Sequence, residues 1–549
     1  MNSGVSLSGL SRRAVLIGHS MSSRAILAAL VLLMGMAIAC LPVAWAVALI
    51  LASGAVMLIS IRPVIGLYLL IFAIPFGSLR EISFGVINVG GAEALAVLTI
   101  VAWVARMAAR GEIRTVHAPL LAPLLIFLGV ISFSLLGTLS LQWSMKGLLV
   151  WLELLAVYLF VVNVVHGQQV KIIVILILLA GCLEAMLGFY QFFGRIGPEG
   201  FLIFDRFIRA HGTFEQPNPY GGYLALILPL ALSLFLANWR WRDFWSISIW
   251  ALAGLSLGLM GAALVMSWSR GAWLGFVAGV VFVALAGFWH RTFSGLTCGA
   301  LAGVASGGLG TLWFNAPGPG SILAPLFGGL AGLGTGLGIA VALRRRWAWL
   351  LLALLVLFGV IFLFLGGDRL LSLTVLQRFS DFLPYLEIPD VRGMHVTDEN
   401  FAVVERLAHW QAALGMLNDR PLLGVGIGNY APVYGGYALP GWEDSLGHAH
   451  NYYLHVAAET GLLGLGAYLL LVLAFFWYGW RSLPRVSGHW QGVALGILGV
   501  LAAFAVHSVF DNLYVHGMNM HLAILLGLVY VLTQRCEVSL VKASRCSSC

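Results

Sequence analysis

Apolar runs of roughly twenty residues, the length of a membrane-crossing helix, alternate with short polar or Gly/Pro punctuation from residue 25 to residue 534. On that pattern the sequence predicts spans over 25–40, 43–60, 63–77, 92–108, 118–138, 146–166, 170–193, 217–237, 245–267, 271–289, 295–314, 321–343, 347–366, 450–478, 489–509 and 517–534. The first pair also reads as one re-entrant hairpin, and the Gly-rich 295–343 as a helical hairpin outside the core. One interval breaks the rhythm. Residues 367–449 are polar and too many for a simple connector. Within them Phe401 to Leu417 repeats its apolar positions at helical period. Pro421 ends that helix, because the residue before a proline is pushed out of helical geometry. The expected fold class is all-α: a polytopic helical membrane protein of about 14–16 spans with one large helical extracytoplasmic loop. Its parts are a tail over 1–24, a membrane domain over 25–366, the loop over 367–449, the last part of the membrane domain over 450–534, and a tail over 535–549.

Composition agrees. Of 549 residues 60% are hydrophobic and 9% charged, and mean hydropathy is +0.96. Soluble domains carry about 25% charged residues, so a soluble protein is excluded. A net charge of +8 could suggest nucleic acid, but its distribution argues otherwise. With the N-terminus inside, the inner loops collect most of the basic residues, from Arg12, Arg13 and Arg24 through Arg344, Arg345 and Arg346 to Arg535, Lys542 and Arg545. Only Glu112, Asp243 and Glu537 join them among the acids. That is the positive-inside asymmetry of a membrane protein, and it puts both termini in the cytoplasm. It also places four segments on the opposite side: 194–216, the turn Ser267-Trp268-Ser269-Arg270-Gly271, the long loop, and the turn from His507 to Asp511. The basic N-terminal stretch with its apolar run reads as an uncleaved anchor, since further spans follow directly. Cys40, Cys182 and Cys298 read as apolar fillers, and the terminal Cys546-x-x-Cys549 as a frayed tail.

Polar chemistry meets lipid at His448-Ala449-His450-Asn451-Tyr452-Tyr453-Leu454-His455, running on to Gly461 and Gly464. A helix starting near His450 would align Leu454, Ala457, Gly461 and Gly464 on one narrow face, open to a neighbouring helix or a lipid tail. His455 and Glu459, four apart, would pair on the other side. At a helix N-terminus the dipole disfavours imidazolium, so a neutral His450 can serve as general base; the alternative is a capping or interfacial histidine. His211 and His448 could join His450 around a metal, although zinc needs three or four ligands and no DxD-like cluster offers a magnesium site. His507 and Asp511, four apart at a span end, read as a pair that could line the same cavity. The run Gly424-Val425-Gly426-Ile427-Gly428 lacks the Lys-Ser/Thr of a nucleotide loop. It could cradle a phosphate through its amides, but it reads better as a compact turn laying the loop helix onto the membrane domain.

Taken together these stretches resemble the O-antigen ligase and polymerase superfamily, membrane glycosyltransferases that use lipid-carried sugars. The resemblance is carried by His450-Asn451 with Gly461 and Gly464. Arg209-Ala210-His211-Gly212-Thr213-Phe214-Glu215-Gln216-Pro217-Asn218, Ser267 to Ala272, and Arg406 and Trp410 leading to Asp419-Arg420-Pro421-Leu422-Leu423-Gly424 add to it. It covers roughly 200 to 515, with an additional apolar hairpin between Arg270 and Arg406. What it implies is glycan transfer from an undecaprenyl-pyrophosphate carrier to an acceptor hydroxyl, with inversion and with neither metal nor other cofactor. The site would lie on the extracytoplasmic face of the cytoplasmic membrane. His450 would be the catalytic base. Arg209, Arg270 and Arg406, with His211, Asn218 and Asn451, would bind the substrate. Arginine suits a pyrophosphate, being always charged and able to grip it with two parallel hydrogen bonds; the alternative for each is a surface, salt-bridge or snorkelling role. The acceptor is a glycan, lipid or protein hydroxyl, so ligase, polymerase and protein O-oligosaccharyltransferase all remain open. A lipid-linked glycan flippase would instead carry its cations deep in the spans.

Overall fold

The computed structural model describes residues 35–36, 40–77, 82–111, 118–203, 206–237, 244–290, 292, 390–397 and 400–546. The expected spans at 295–314, 321–343 and 347–366, and most of 25–40, lie outside the described residues. The described helices of nine residues or more are α1 Val43–Ile61, α2 Val64–Phe76, α3 Gly91–Arg110, α4 Leu121–Phe133, α5 Leu141–Val164, α6 Gly167–Gly194, α7 Pro217–Ala225, α8 Leu228–Leu236, α9 Phe244–Met266, α10 Arg270–Trp289, α11 Phe401–Asp419, α12 Tyr452–Ser482, α13 His489–His507 and α14 Met518–Cys546. Strand is confined, among the described residues, to two small antiparallel hairpins, β1 Ile82–Phe84 with β2 Ile87–Val89 and β3 Leu202–Ile203 with β4 Phe207–Ile208. Among the described residues nine segments are long and apolar enough to cross a membrane, α7 and α8 counting as one, and three shorter apolar helices accompany them. The chain is thus a polytopic helical membrane protein, as its apolar pattern predicts. A helix is the natural answer to lipid, since it satisfies its backbone polar groups internally.

The centre of the bundle is α13 with α7, α8 and α10. Lipid offers helices no hydrophobic gain on association, so close backbone approach has to hold them. Glycines supply it. A Cβ added at Gly275 of α10 would lie 2.7 Å from the Ala503 carbonyl oxygen, and one at Gly279 would lie 2.8 Å from that of Gly499. The same stripe continues to the loop-bearing end, where Gly271 packs on the ring of His507. Between α7 and α8 the chain breaks at Leu226–Ile227, in its most buried span.

The described part of the long loop, 390–397 and 400–449, is built around the expected helix, α11, which packs over the start of α12. Its length matches the predicted 401–417 to within two residues. Two small cores fasten it. One gathers Ala412, Met416, Val425, Tyr430, Tyr434 and Ala458; the other gathers Val404, Leu407, Trp410 and Leu439.

The start of α12 differs from the sequence expectation. The helix begins at Tyr452, with Asn451 as its N-cap, and breaks at Gly461, whose φ of 68° and ψ of −171° lie outside the helical region. The single narrow face expected from Leu454 through Gly464 therefore does not run unbroken. What approaches Gly461 is neither helix nor lipid but the backbone of Leu422, 2.2 Å from where a Cβ would stand. Across this break two stretches of main chain exchange hydrogen bonds. Val425 and Gly426 donate to the carbonyls of Ala458 and Glu459 at 2.9 and 2.8 Å, and Leu462 donates to that of Pro421 at 2.8 Å. The kink opens these groups, and the glycine-rich loop satisfies them.

Gly461→Ala meets both a backbone conformation that L side chains rarely adopt and a backbone in the way. It should destabilise the protein by about 2–4 kcal/mol, whereas Gly435→Ala, which faces open space, should stay within about 0.5 kcal/mol. Thermal unfolding of the detergent-solubilised variants measures the difference.

Candidate functional site

Three segments converge at the loop-bearing end: the residues before α12, the turn after α13, and one face of α11. Asp511 sits in the turn and is 5% exposed. Its Oδ1 lies 3.7 Å from Nε2 of His448 and 3.7 Å from Nδ1 of His450. Both distances suit an ion pair and exceed a direct hydrogen bond. The backbone ties these segments together, since Tyr452 donates to the Ser508 carbonyl at 2.7 Å. Above them the His409 ring lies 5.4 Å from that of His450, and Trp410 Nε1 donates to the His450 carbonyl at 3.4 Å.

The local backbone explains how two histidines reach one carboxylate. His450 is held at φ 51°, in the left-handed region, at a cost of about 1–2 kcal/mol for an L residue. That bend brings its amide back to Nδ1 of His448, to which it donates at 3.1 Å. An imidazole nitrogen that accepts carries no proton, so the proton of neutral His448 is on Nε2, facing Asp511. Burial, with the neighbouring His450, pushes the His448 pKa down to about 3, and burial with the same neighbour does so for His409, also to about 3. Burial works against the Asp511 charge, but the surrounding imidazoles outweigh it and hold its carboxyl well below the usual range. The rings of His448 and His409 are therefore neutral beside one carboxylate.

His448, His450 and Asp511 form, among the described residues, the one group whose donor atoms gather within 4.8 Å as a cation site would require. The donor set fits such an ion poorly. A metal on Nε2 of His448 would move that ring's proton to Nδ1, against the amide that now donates to it. The guanidinium of Arg406 acts on His409, His448 and His507 and would repel a cation. His211 lies outside this group, so the three-histidine set considered from sequence does not form.

Arg406 donates from Nη1 to the Ala402 carbonyl at 2.7 Å, while its Nε is buried with no hydrogen-bond partner. Both ring nitrogens of His450 and of His507 are likewise buried and unpartnered. Arg270 opens α10 directly before Gly271, which packs on His507. Arg209 belongs to a second constellation. Its Nε donates to the Ser267 carbonyl at 3.0 Å, and its Nη2 reaches Asn218 Oδ1 at 3.3 Å and the Trp268 carbonyl at 3.4 Å. His211 lies in the same loop, Nδ1 against the Arg209 carbonyl at 3.1 Å. Side chains of α6 clamp that loop: Gln191 Oε1 accepts from His211 and Gly212, and Glu184 accepts from the Thr213 amide and hydroxyl.

Asn451, expected to touch substrate, spends its side-chain oxygen on the helix: Oδ1 accepts from the Leu454 amide at 3.1 Å. His455 pairs with Glu459 at 3.5 Å, as the spacing implies. Glu459 also accepts from the Tyr430 amide at 3.0 Å, so that pair fastens the loop. The amides of Gly424, Val425, Gly426, Ile427, Asn429 and Tyr430 all have protein acceptors, so the glycine-rich run is the compact turn and not a phosphate cradle. Asn429, fully buried, pins it by donating to the hydroxyls of Thr138 and Ser144 at 2.6 and 2.7 Å. Sequence reasoning paired Asp511 with His507, but its carboxylate faces His448 and His450. It passed over His409, whose signal is its place one turn after Arg406, with Ala412, Ala413 and Met416 following on the same side of the helix.

The family model described as O-antigen ligase matches residues 327–469, which take in α11, the crossing loop and the first part of α12. No curated protein matches the chain.

If Asn451 acts as a cap, Asn451→Ala should cost about 1 kcal/mol of stability and Asn451→Ser should recover most of it. Thermal unfolding of the two variants side by side checks this.

Proposed function

With a domain matching the O-antigen ligase family, in support of the ligase and polymerase superfamily that the motifs resemble, we propose that the protein is a membrane glycosyltransferase. It moves a glycan from an undecaprenyl-pyrophosphate carrier to an acceptor hydroxyl, on the extracytoplasmic face of the cytoplasmic membrane. The observation that carries this reading is the His450–Asp511 pair beside Arg406. Asp511 faces Nδ1 of His450 at 3.7 Å and favours the tautomer with its proton there, which leaves the lone pair of Nε2 free. A carboxylate orienting an imidazole in this way is the logic of triad catalysis.

In the proposed reaction Nε2 of His450 takes the proton of the acceptor hydroxyl as that oxygen attacks the anomeric carbon. The bond from that carbon to the carrier's phosphate oxygen breaks on the opposite side, its electron pair leaving with the pyrophosphate. One displacement inverts the anomeric configuration. The Asp511 carboxylate stabilises the imidazolium until its proton passes to solvent. Arg406 and Arg270 neutralise the departing pyrophosphate, and the buried, unpartnered Nε of Arg406 is a donor in want of such an acceptor. Arg209, held by Asn218, joins the 209–218 loop to the turn that precedes Arg270, and His211 lies against the Arg209 carbonyl in that loop. No metal is required, since the arginines supply the positive charge. The acceptor is a sugar of a surface polysaccharide or of its lipid anchor.

Base assistance to a weak nucleophile is worth about 100- to 10,000-fold. His450→Ala should lose turnover on that scale while still binding donor, and His455→Gln should stay within a fewfold of wild type. Purified protein reconstituted with lipid-linked glycan and acceptor, followed by release of undecaprenyl pyrophosphate, measures both. A fully active His450→Ala enzyme, or a product of retained configuration, would overturn the mechanism.

The orientation has its own test. Cysteines placed at the exposed Gly393 and Gly441 should react with an impermeant reagent in cells whose outer barrier is opened, and one at the exposed Ser487 should not. Labelling at Ser487 would reverse the topology.

A further inference from the structure

We propose that His448 is a positioning residue for His450: it takes the place of the asparagine of an Asx turn and holds the base in its left-handed backbone conformation. This rests on the reading of His450 as the base. In an Asx turn a short side chain accepts a hydrogen bond from the amide two residues on. Here Nδ1 of His448 accepts from the amide of His450 at 3.1 Å, the same i to i+2 geometry. His450, at φ 51°, is one of six described non-glycine residues at positive φ. A conformation so unfavourable for an L residue persists only where its surroundings hold it.

The surroundings are few. On the carboxyl side Asn451 caps α12, and Tyr452 is fastened to Ser508. Trp410 reaches the His450 carbonyl at 3.4 Å, a long contact. The His450 amide itself is held by His448. Without that acceptor the amide is left part-buried, and the bend loses its only side-chain partner on the amino side. The rings also touch, with centroids 4.3 Å apart and planes at 79°, so the same side chain limits how far the His450 ring can turn. A third contact follows from the tautomer: since Nδ1 accepts, Nε2–H points at Asp511, 3.7 Å away. His448 thus fixes the backbone, the ring and the carboxylate that orients the ring, without meeting the reacting atoms.

Release of the bend would swing the base from its line to the acceptor oxygen, and a misplacement of about 1 Å can cost about a hundredfold in rate. Three variants separate the contributions. His448→Ala removes acceptor and ring. His448→Phe keeps the ring volume and removes the acceptor. His448→Asn restores an acceptor at the Asx position. In the reconstituted assay His448→Ala and His448→Phe should lose roughly ten- to a hundredfold in kcat, with KM for the lipid-linked donor moving less than about threefold. His448→Asn should recover kcat to within about threefold of wild type, the hydrogen bond being the principal contribution. A purely structural role would move KM and the yield of folded protein together and would not be rescued by asparagine. Wild-type kcat in His448→Phe, or a His448→Asn enzyme no better than His448→Ala, would overturn the proposal. His450→Ala is assayed alongside: if it is inactive and His448→Ala is not, the positioning role fails and the base assignment stands; if it is fully active, the base assignment itself fails.

Discussion

The site depends on a crossing of two backbones. Where α12 breaks at Gly461, the main chain of residues 421–426 passes so close that side chains are shut out at Gly424 and Gly461 alike. Three main-chain hydrogen bonds of 2.8–2.9 Å close the crossing. A helix breaks in a membrane protein only where other groups take up the freed amides and carbonyls, and the glycine-rich loop is built to do that. It is anchored in turn by Asn429 on α5 and the residues before it. Because this loop directly follows α11, the crossing also fixes where α11 lies, and with it Arg406, His409 and Trp410. The chemistry rests on an arrangement of main chain that no charged residue supplies.

Around that frame the electrostatics converge on one negative charge. Asp511 is buried among His448, His450 and His507, and Arg406 acts on two of those rings, His448 and His507. Burying a carboxylate is costly unless it is paired. Neutral His448 turns its Nε2–H toward the carboxylate at 3.7 Å, and a neutral ring in that place leaves the positive charge of Arg406 available to an anion. Were the histidines protonated, the end of the bundle would hold several cations and one acid, and no ring nitrogen could accept a proton.

Much of this was legible in the sequence because the constraints that shape it are local. Apolar run length found the helices from α1 to α10 and from α12 to α14, most of them to within a few residues, since a lipid solvent permits little else; it read the broken pair α7 and α8 as one span, began α5 five residues late and ended α14 twelve residues early. Helical period placed α11, and a spacing of four paired His455 with Glu459. What stayed hidden depends on chain segments far apart meeting. The break in α12 cannot be read from Gly461, because glycine is common in membrane helices; it becomes necessary only once Leu422 lies across it. The carboxylate partner of His450 is 61 positions downstream in number and belongs to a turn whose own spacing pointed to His507. Asn451 looked like a ligand from its motif, yet the start of α12, one residue beyond it, claims its oxygen as a cap.

The two constellations differ in a way that bears on how an anionic substrate would be held. The guanidinium of Arg209 is turned onto the carbonyls of Ser267 and Trp268, so part of its donor fork is committed to joining two loops. Arg406 has one Nη on its own helix and a buried Nε with no partner. A buried donor left without an acceptor costs roughly 1–3 kcal/mol, a strain that an oxygen of the departing pyrophosphate would relieve. On the proposed reading the binding energy of the carrier's headgroup is therefore concentrated at Arg406, a few residues along α11 from the ring that contacts the base. Charge neutralisation at the leaving group and proton removal at the acceptor are then held by the same helix, so a shift of α11 would disturb both at once.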